Sequence, residues 1–507
     1  MRRFVGFVVA AAIASVPLAG HAASGPTRLP VHRSTLAAGV SINLFAPTSA
    51  HRTGAPAARP FLRTSAGQRS PSRRAVRSTS MQVASTSPLL SQLASFSLDS
   101  FDAQVAQFGV DQAAEPPDTM LAAGPTALIE TVNSTASIWT KTGVRTAFAD
   151  FNKALPMPAG FSFSDPRILY DAISGRWMFT GLGFSLTGSS VVFLGVSKTS
   201  DPSGGFFVYK IAQTSNGQLH DQPKVGVSDD KVVISWNEFC CGLLGTFRGA
   251  ETFVLEKSTL LTGAVTPVFF VGPIPSQSSP VPAQSLTTTP IEIVTYNGTT
   301  FAGVLEISGT PAANNVVITE TDIPIPATSA PPPALQPGGT IETNDDRFLS
   351  SVWQNGNLWV SGNDSCVPAG SAIARSCLRL VQISAITQGG MTPSLTQSFD
   401  VGKSGLDAYY PAVALDASQN LFAAFTVSSA SVFPSAAALD VLAGPPTGTV
   451  SAAVVFQLGA QKYGGTRWGD YSAAALDPTT GGVWVTAEYS AAGSNHDWGT
   501  ATSELTA

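Results

Sequence analysis

Five carboxylates, Asp165, Asp221, Asp346, Asp470 and Glu488, fall at recurring points of a pattern that the chain repeats about every 60 residues. Two carboxyl groups flanking a sugar ring hydrolyse a glycosidic bond when a dry site keeps one protonated and the other stays ionised. These five are the candidate catalytic residues for that chemistry. Beside them stand side chains suited to holding a ligand: Arg167, His220, Lys224, Asn237, Arg347, Tyr409, Tyr410 and Trp468. A sialidase-like site would want three arginines for a substrate carboxylate and repeated Ser-x-Asp-x-Gly-x-x-Trp turns. Arg167 and Arg347 supply two of the arginines, and the turns are missing. Hard oxygen ligands at Asp118, Asp165, Asp345 and Asp470 could instead hold Ca²⁺, although no Asp-x-Asp-x-Asp loop is present. A structural role accounts for the same residues. An Asp at the start of a strand caps backbone N–H groups at a turn, and Asp-x-Arg neighbours form a ring of ion pairs.

Other chemistries lack their signatures. There is no Gly-x-Ser-x-Gly elbow, no His-Glu-x-x-His and no phosphate-binding Gly-x-x-x-x-Gly-Lys loop. Of the five histidines only His220 and His496 fall within the repeats, too few for a His-rich metal site.

The repeat that must position these residues is plainest near the C-terminus. Arg467-Trp468-Gly469-Asp470 is a polar mouth, Ala473–Leu476 a short strand of small residues, and Asp477-Pro…Gly482 a turn. An alternating strand then returns to Glu488. Pro116, Asp165, Pro223, Pro282, Asp346, Pro411 and Asp470 mark seven such mouths, at steps of 49, 58, 59, 64, 65 and 59 residues. Each step holds four strand-like runs, the spacing of β-propeller blades rather than of helical solenoids. The last repeat has only three runs, and Leu93–Leu98 alternates like the strand that would complete it, leaving no open edge.

Glu115-Pro-Pro-Asp118-Thr-Met-Leu-Ala-Ala-Gly124-Pro, followed by a strand ending at Val132-Asn133, resembles the opening blade of a family of secreted bacterial propeller proteins. Lys224-Val-Gly-Val-Ser-Asp229 and Arg467-Trp-Gly-Asp470-Tyr-Ser are similar to the same family. The resemblance spans about residues 96–507 and departs from the family at Met120 and Ala122. It implies a seven-bladed propeller and export. The family has no assigned activity, so no catalytic residue is carried over.

Composition bounds the rest. Only 12% of the 507 residues are charged, while Gly (46) and Pro (36) abound, as in an all-β chain of short strands and tight turns. Met1-Arg2-Arg3, an apolar run to Leu18 and Gly20-His21-Ala22-Ala23 read as a secretory signal. After it no run of about 18 apolar residues occurs, which excludes a spanning helix. From Ser24 to Leu98 there are nine arginines and no acidic residue; from Asp99 onward 17 Lys plus Arg face 33 Asp plus Glu. The basic stretch reads as a disordered leader, with an arm for an anionic surface as the alternative. Few aromatics interleave its arginines, which argues against nucleic acid.

The four cysteines suit an oxidising compartment. Cys366–Cys377 is expected to close a long loop and Cys240–Cys241 to form a neighbouring-residue disulfide, with cross-pairing between the two loops as the alternative.

The sequence thus predicts a signal peptide (1–23), a disordered basic leader (24–88) and an all-β, seven-bladed propeller (89–507) whose N-terminal strand closes the last blade. The function expected is that of a secreted or periplasmic, monomeric, non-catalytic scaffold. It would engage a glycan or an extracellular protein at the propeller mouth, with no cofactor beyond Ca²⁺, no nucleic acid and no transmembrane segment after signal removal. A carbohydrate-active hydrolase or lyase using the mouth carboxylates is the alternative, and a structural envelope protein the second.

Overall fold

A computed structural model describes residues 25–46, 90–108, 114–215, 217–241, 245–384, 392–444, 449–465 and 467–507. The expected signal peptide and most of the expected leader lie outside these residues. Among the described residues no helix is long and apolar enough to cross a membrane.

Strands form where the sequence alternates, and the turns between them follow local chemistry. After Phe161–Asp171 the Asp171 carboxylate accepts from Ile173 N (3.2 Å), and Gly175 takes a left-handed φ of 65° so that the chain can return as Arg176–Ser185. The same turn recurs after Ala473–Leu476, where Asp477 accepts from Thr479 N (2.8 Å) and Gly481 has φ 75°.

Antiparallel ladders gather the strands into sets of four. The first set is Met120–Ala123, Leu128–Val132, Thr135–Trp139 and Arg145–Asp150. The second continues from Arg176–Ser185 with Ser190–Ser197 and Phe206–Gln213. The third is Leu219–Val227, Lys231–Cys240, Thr246–Glu256 and Thr266–Ile274. Val281–Pro282, Glu292–Asn297, Phe301–Ser308 and Val317–Pro324 make the fourth. Phe348–Gln354, Asn357–Cys366, Arg375–Ser384 and Ser394–Val401 make the fifth. Asp407–Leu415, Leu421–Ser429, Val432–Val441 and Val454–Gln457 follow. The last set, Ala473–Leu476, Val483–Ser490 and Trp498–Thr506, takes its fourth strand from Ser91–Ser100, as expected from the Leu93 region.

Each set buries both faces, one against the set before and one against the set after. Ile129 and Ile138 of the first meet Phe163 and Phe179 of the second. Met178 and Leu194 then meet Val232 and Ile234 of the third. Val254 and Phe269 pack on Val294 and Leu305, and Val304 and Ile323 on Phe348 and Val381. Trp359 and Leu380 pack on Val413 and Leu439, and Phe422 and Ala438 on Val485 and Leu505. Trp484 and Ala473 of the last set meet Leu121 and Leu128 of the first. The succession returns to its starting point, so the sheets stand around a common axis. The fold is an all-β propeller. Contact between neighbouring strands is close: a Cβ on Gly195 would lie 1.9 Å from Phe179 Cε1.

One expectation is corrected. Residues 25–46, assigned by composition to a disordered leader, are ordered. Thr27–Arg28 pairs with Val317–Pro324, His32–Leu36 with Thr266–Ile274, and Val40–Ile42 with Phe206–Gln213. The segment adds a fifth strand to the outer edges of the fourth, third and second sets in turn. Unpaired edge N–H and C=O groups supply the drive, and Leu36, Leu44 and Phe45 anchor it in the apolar clusters beneath. Low charge opposition in a sequence does not by itself show that a strand lacks a partner.

At the seam between the last and first sets, Glu130 is buried. Its Oε1 accepts from Thr119 Oγ1 (3.3 Å) and Thr500 Oγ1, and its Oε2 has no hydrogen-bond partner. Burial, with the charge of Asp99, pushes its carboxyl up to about 8. Folding therefore takes up a proton between the unfolded carboxylate range and pH 8. The stability this group lends is full below about pH 4.3 and is lost as pH rises through 8. Glu130→Gln, neutral throughout, is expected to lose less stability than the wild type between pH 5 and 8. Urea unfolding at a series of pH values checks this.

Candidate functional site

At the end of the ring where the first strands begin, one residue of nearly every repeat lies in the left-handed region. These residues are Asp118, Asp165, Gln222, Ser279, Asn344 and Tyr410, with φ between 50° and 56°. A non-glycine residue there is costly unless its surroundings hold it. What holds several of them is an asparagine at the end of a preceding second strand. Asp165 N donates to Asn133 Oδ1 (2.8 Å), Ser279 N to Asn237 Oδ1 (2.7 Å) and Tyr410 N to Asn363 Oδ1 (2.6 Å). The amide nitrogens are engaged too: Asn133 Nδ2 donates to Asp118 Oδ2 (2.8 Å), Asn237 Nδ2 to Ser279 Oγ (2.9 Å) and Asn363 Nδ2 to Thr343 O (2.9 Å). Asn237, expected to touch a ligand, is thus a tie between successive sheets. The mouth of the fourth repeat is centred on Ser279-Pro280, two residues before the Pro282 taken as its marker.

The residues expected at the mouth do converge. Asp470 is the hub. Arg467 Nη2 lies 2.6 Å from its Oδ1, Asn344 Nδ2 donates to the same oxygen (3.0 Å), and Gln222 Nε2 donates to Oδ2 (3.1 Å). Its own N–H donates to Asp118 Oδ1 (2.8 Å). Arg347 donates through Nη1 to Gln222 Oε1 (2.8 Å) and grips Asp345 through Nε (2.6 Å) and Nη2 (2.5 Å). Gln222 N donates to Asp165 Oδ2 (3.2 Å). Arg167 stacks over the Tyr471 ring at 3.5 Å and reaches Leu349 O across the ring. Arg467 also pairs with Glu342 (3.2 Å).

This convergence is interior rather than an open mouth. Asp118, Asp165, Lys224, Tyr409, Tyr410, Trp468, Asp470 and Glu488 are each at most 3% exposed, and Arg167, His220, Asp221, Asn237 and Arg347 at most 9%. Burial, with the charges of Asp470 and Asp165, pushes Asp118 up to about 7. Burial raises Glu488 well above the carboxylate range although Gly469 N donates to it (2.8 Å). Lys224 is driven well below its usual range by burial and by the neighbouring Arg167 and Arg347 guanidiniums. The four aspartates proposed for Ca²⁺ divide: Asp118, Asp165 and Asp470 influence one another, while Asp345 is held by Arg347.

Three candidates make their hydrogen bonds outside this network. Asp346 accepts from Thr328 Oγ1 (2.7 Å) beside Asn297, between the fourth and fifth sets. Tyr409 OH donates to Ser428 Oγ (3.1 Å), and Trp468 Nε1 donates to Thr426 Oγ1 (3.4 Å). Sequence reasoning missed Gln222, Asn344, Arg467 and Tyr471 as members of the network. The recurring X-Pro step at Asp165-Pro166, Gln222-Pro223, Ser279-Pro280 and Tyr410-Pro411 could have marked the first.

Cys366 and Cys377 form the expected disulfide, joining the strands on either side of the loop between them. Cys240 and Cys241, expected to pair, are instead free thiols with sulfurs 2.6 Å apart. Adjacent residues hold their Cα atoms about 3.8 Å apart, below the separation most disulfides adopt.

A separate cluster lies on one face of the third set. The register puts His220 opposite Glu238 and Trp236 opposite Glu251. Trp236 Nε1 donates to Glu251 Oε2 (2.8 Å), His220 Nε2 stands 3.9 Å from that oxygen, and the imidazole stacks near Trp236 at 5.0 Å. Burial lowers His220 to about 4, and burial with the Glu238 charge raises Glu251 to about 7.

No family model matches the chain, and no curated protein matches it. Solved structures similar to it include a protein of unknown function from Dyadobacter fermentans DSM 18053, at 10% identity and a TM-score of 0.37, covering 69% of this chain and 96% of that one. The NanB sialidase from Streptococcus pneumoniae is similar at 9% identity and TM-score 0.39, over 75% of this chain and 82% of its own. The Cellvibrio cellulosa α-L-arabinanase is similar at 8% and 0.31, over 66% and 94%. At such identities and scores these likenesses carry no argument about residues or activity.

Removing the hub strands several buried partners at once. Asp470→Ala is expected to cost about 3–5 kcal/mol, the range for breaking a buried ion pair. Asn237→Ala, which leaves the Ser279 N–H and hydroxyl without their partner, should cost about 1–3 kcal/mol. Chemical denaturation of the two variants measures both.

Proposed function

We propose that the protein is a secreted, non-catalytic binding scaffold, a seven-bladed propeller in which each four-stranded set is one blade and Ser91–Ser100 closes the last. The apolar clusters between every successive pair of sets support the blade number. The observation that carries the functional reading is the state of the central carboxylates. Asp165 and Asp470 are engaged by backbone N–H groups, amides and guanidiniums and are almost wholly buried. A glycosidase needs two carboxyls that reach a sugar from either side. These instead brace the blades against one another.

The contact surface then falls to the loops around this buried polar network. Second-strand ends and first-strand starts share that end of each sheet. Its loops present Leu186, Val367, Ile373 and Leu458, each 46–66% exposed, while Val144, Ile173 and Val265, 47–58% exposed, lie on the turns at the opposite end. We take these side chains as the surface that a glycan ring face or a partner protein would pack against. The Cys366–Cys377 disulfide fits an exported protein.

A glycan array probed with the mature chain should show binding that Leu186→Asp or Ile373→Asp weakens at least tenfold. Chromogenic glycosides should remain uncleaved. Cleavage that disappears in Asp165→Asn or Asp470→Asn variants that remain folded would overturn the reading.

A further inference from the structure

We propose that His220, Glu238 and Glu251 form a site for one divalent cation of the manganese–zinc class, on the inner three strands of the third sheet. Among the described residues, one nitrogen or oxygen atom from each of the three lies within 4.8 Å of the others. Ligands about 2.0–2.2 Å from a common ion stand about 3–4.3 Å apart, so small side-chain rotations complete the set.

Three features point to a ligand rather than to a chance meeting of acids. The imidazole is part of the group, is 5% exposed, and its Nδ1 is buried without a hydrogen-bond partner. The Glu238 and Glu251 carboxylates, 6% and 8% exposed, lie within 4.8 Å of one another, and a dication between them offsets their like charge. Finally, each carboxylate is already held by a hydrogen-bond donor. Trp236 Nε1 donates to Glu251 (2.8 Å) and Gln218 Nε2 donates to Glu238 Oε1 (3.3 Å), the kind of outer support that metal ligands rely on. A neutral imidazole with two carboxylates is a mixed nitrogen–oxygen set, which suits Mn²⁺, Co²⁺ or Zn²⁺ better than Ca²⁺ with its preference for six to eight oxygens.

The test uses the full chain carrying Cys240→Ser and Cys241→Ser, so that the neighbouring thiols contribute nothing. After chelation and dialysis it is titrated with MnCl₂, ZnCl₂ and CaCl₂ by calorimetry, with Tm followed in parallel. One Mn²⁺ or Zn²⁺ per chain should bind, with Ca²⁺ at least tenfold weaker. Glu238→Gln and Glu251→Gln should each weaken binding tenfold or more and abolish the rise in Tm, whereas Asp201→Asn, in the exposed turn before Phe206–Gln213, should change neither. Absence of binding by any of the three salts overturns the proposal, as does affinity unchanged in the doubly substituted Glu→Gln protein. Co²⁺ absorption of the chain with its three ligands intact decides where a variant fails to fold. A shifted d–d band supports the site, and the spectrum of the hydrated ion overturns it.

Discussion

Charge withdrawn from water must be matched within the protein, and the centre of this ring obeys that constraint. Asp345 and Asp470 pair with Arg347 and Arg467 of their own mouths, and the amides of Gln222 and Asn344 tie these pairs together across sheets far apart in sequence. Apolar packing between sheets fixes how closely the blades approach, but it has no directional preference. The polar network has one. A residue held at positive φ, an asparagine tie to the next sheet and a guanidinium reaching across specify which repeat adjoins which. Such a network is high in consequence because any member left alone is a buried, unpaired group.

The same constraint explains why chemistry and structure look alike in this sequence. Acids, cations and aromatics recurring at one point of a repeat are the signature of a binding mouth and equally of an interlocked hub. Only burial and partners separate the two. Residue type and spacing carried the first half of that statement; the second needs coordinates.

Much of the fold was legible because it rests on local rules. Asp171…Gly175 and Asp477…Gly481 announce their turns, the strands alternate, and the missing fourth strand of the last repeat pointed to the Leu93 region. The segment before the repeats was not legible. Its partners lie about 170 to 290 residues away, and a row of Ser, Thr and Arg carries no sign of which edge it will meet. Within the site, the convergence of Arg167, Arg347 and Asp470 could be anticipated, whereas the bridging role of Asn344 could not. A neutral amide at a polar mouth has no charge to attract notice. Likewise His220 was found as a mouth residue, but its companions Glu238 and Glu251 become neighbours only through strand register.

The segment that lies along the outer edges of the fourth, third and second sheets has a kinetic consequence. Thr27 pairs with Glu320, and Ser91 with Thr506. A chain emerging from its N-terminus therefore carries these early strands with nothing to dock on until hundreds of later residues have taken shape. Contacts so distant along the backbone slow folding. For that interval the first strands made are the last ones placed, and whatever handles the nascent chain must keep them from pairing with one another.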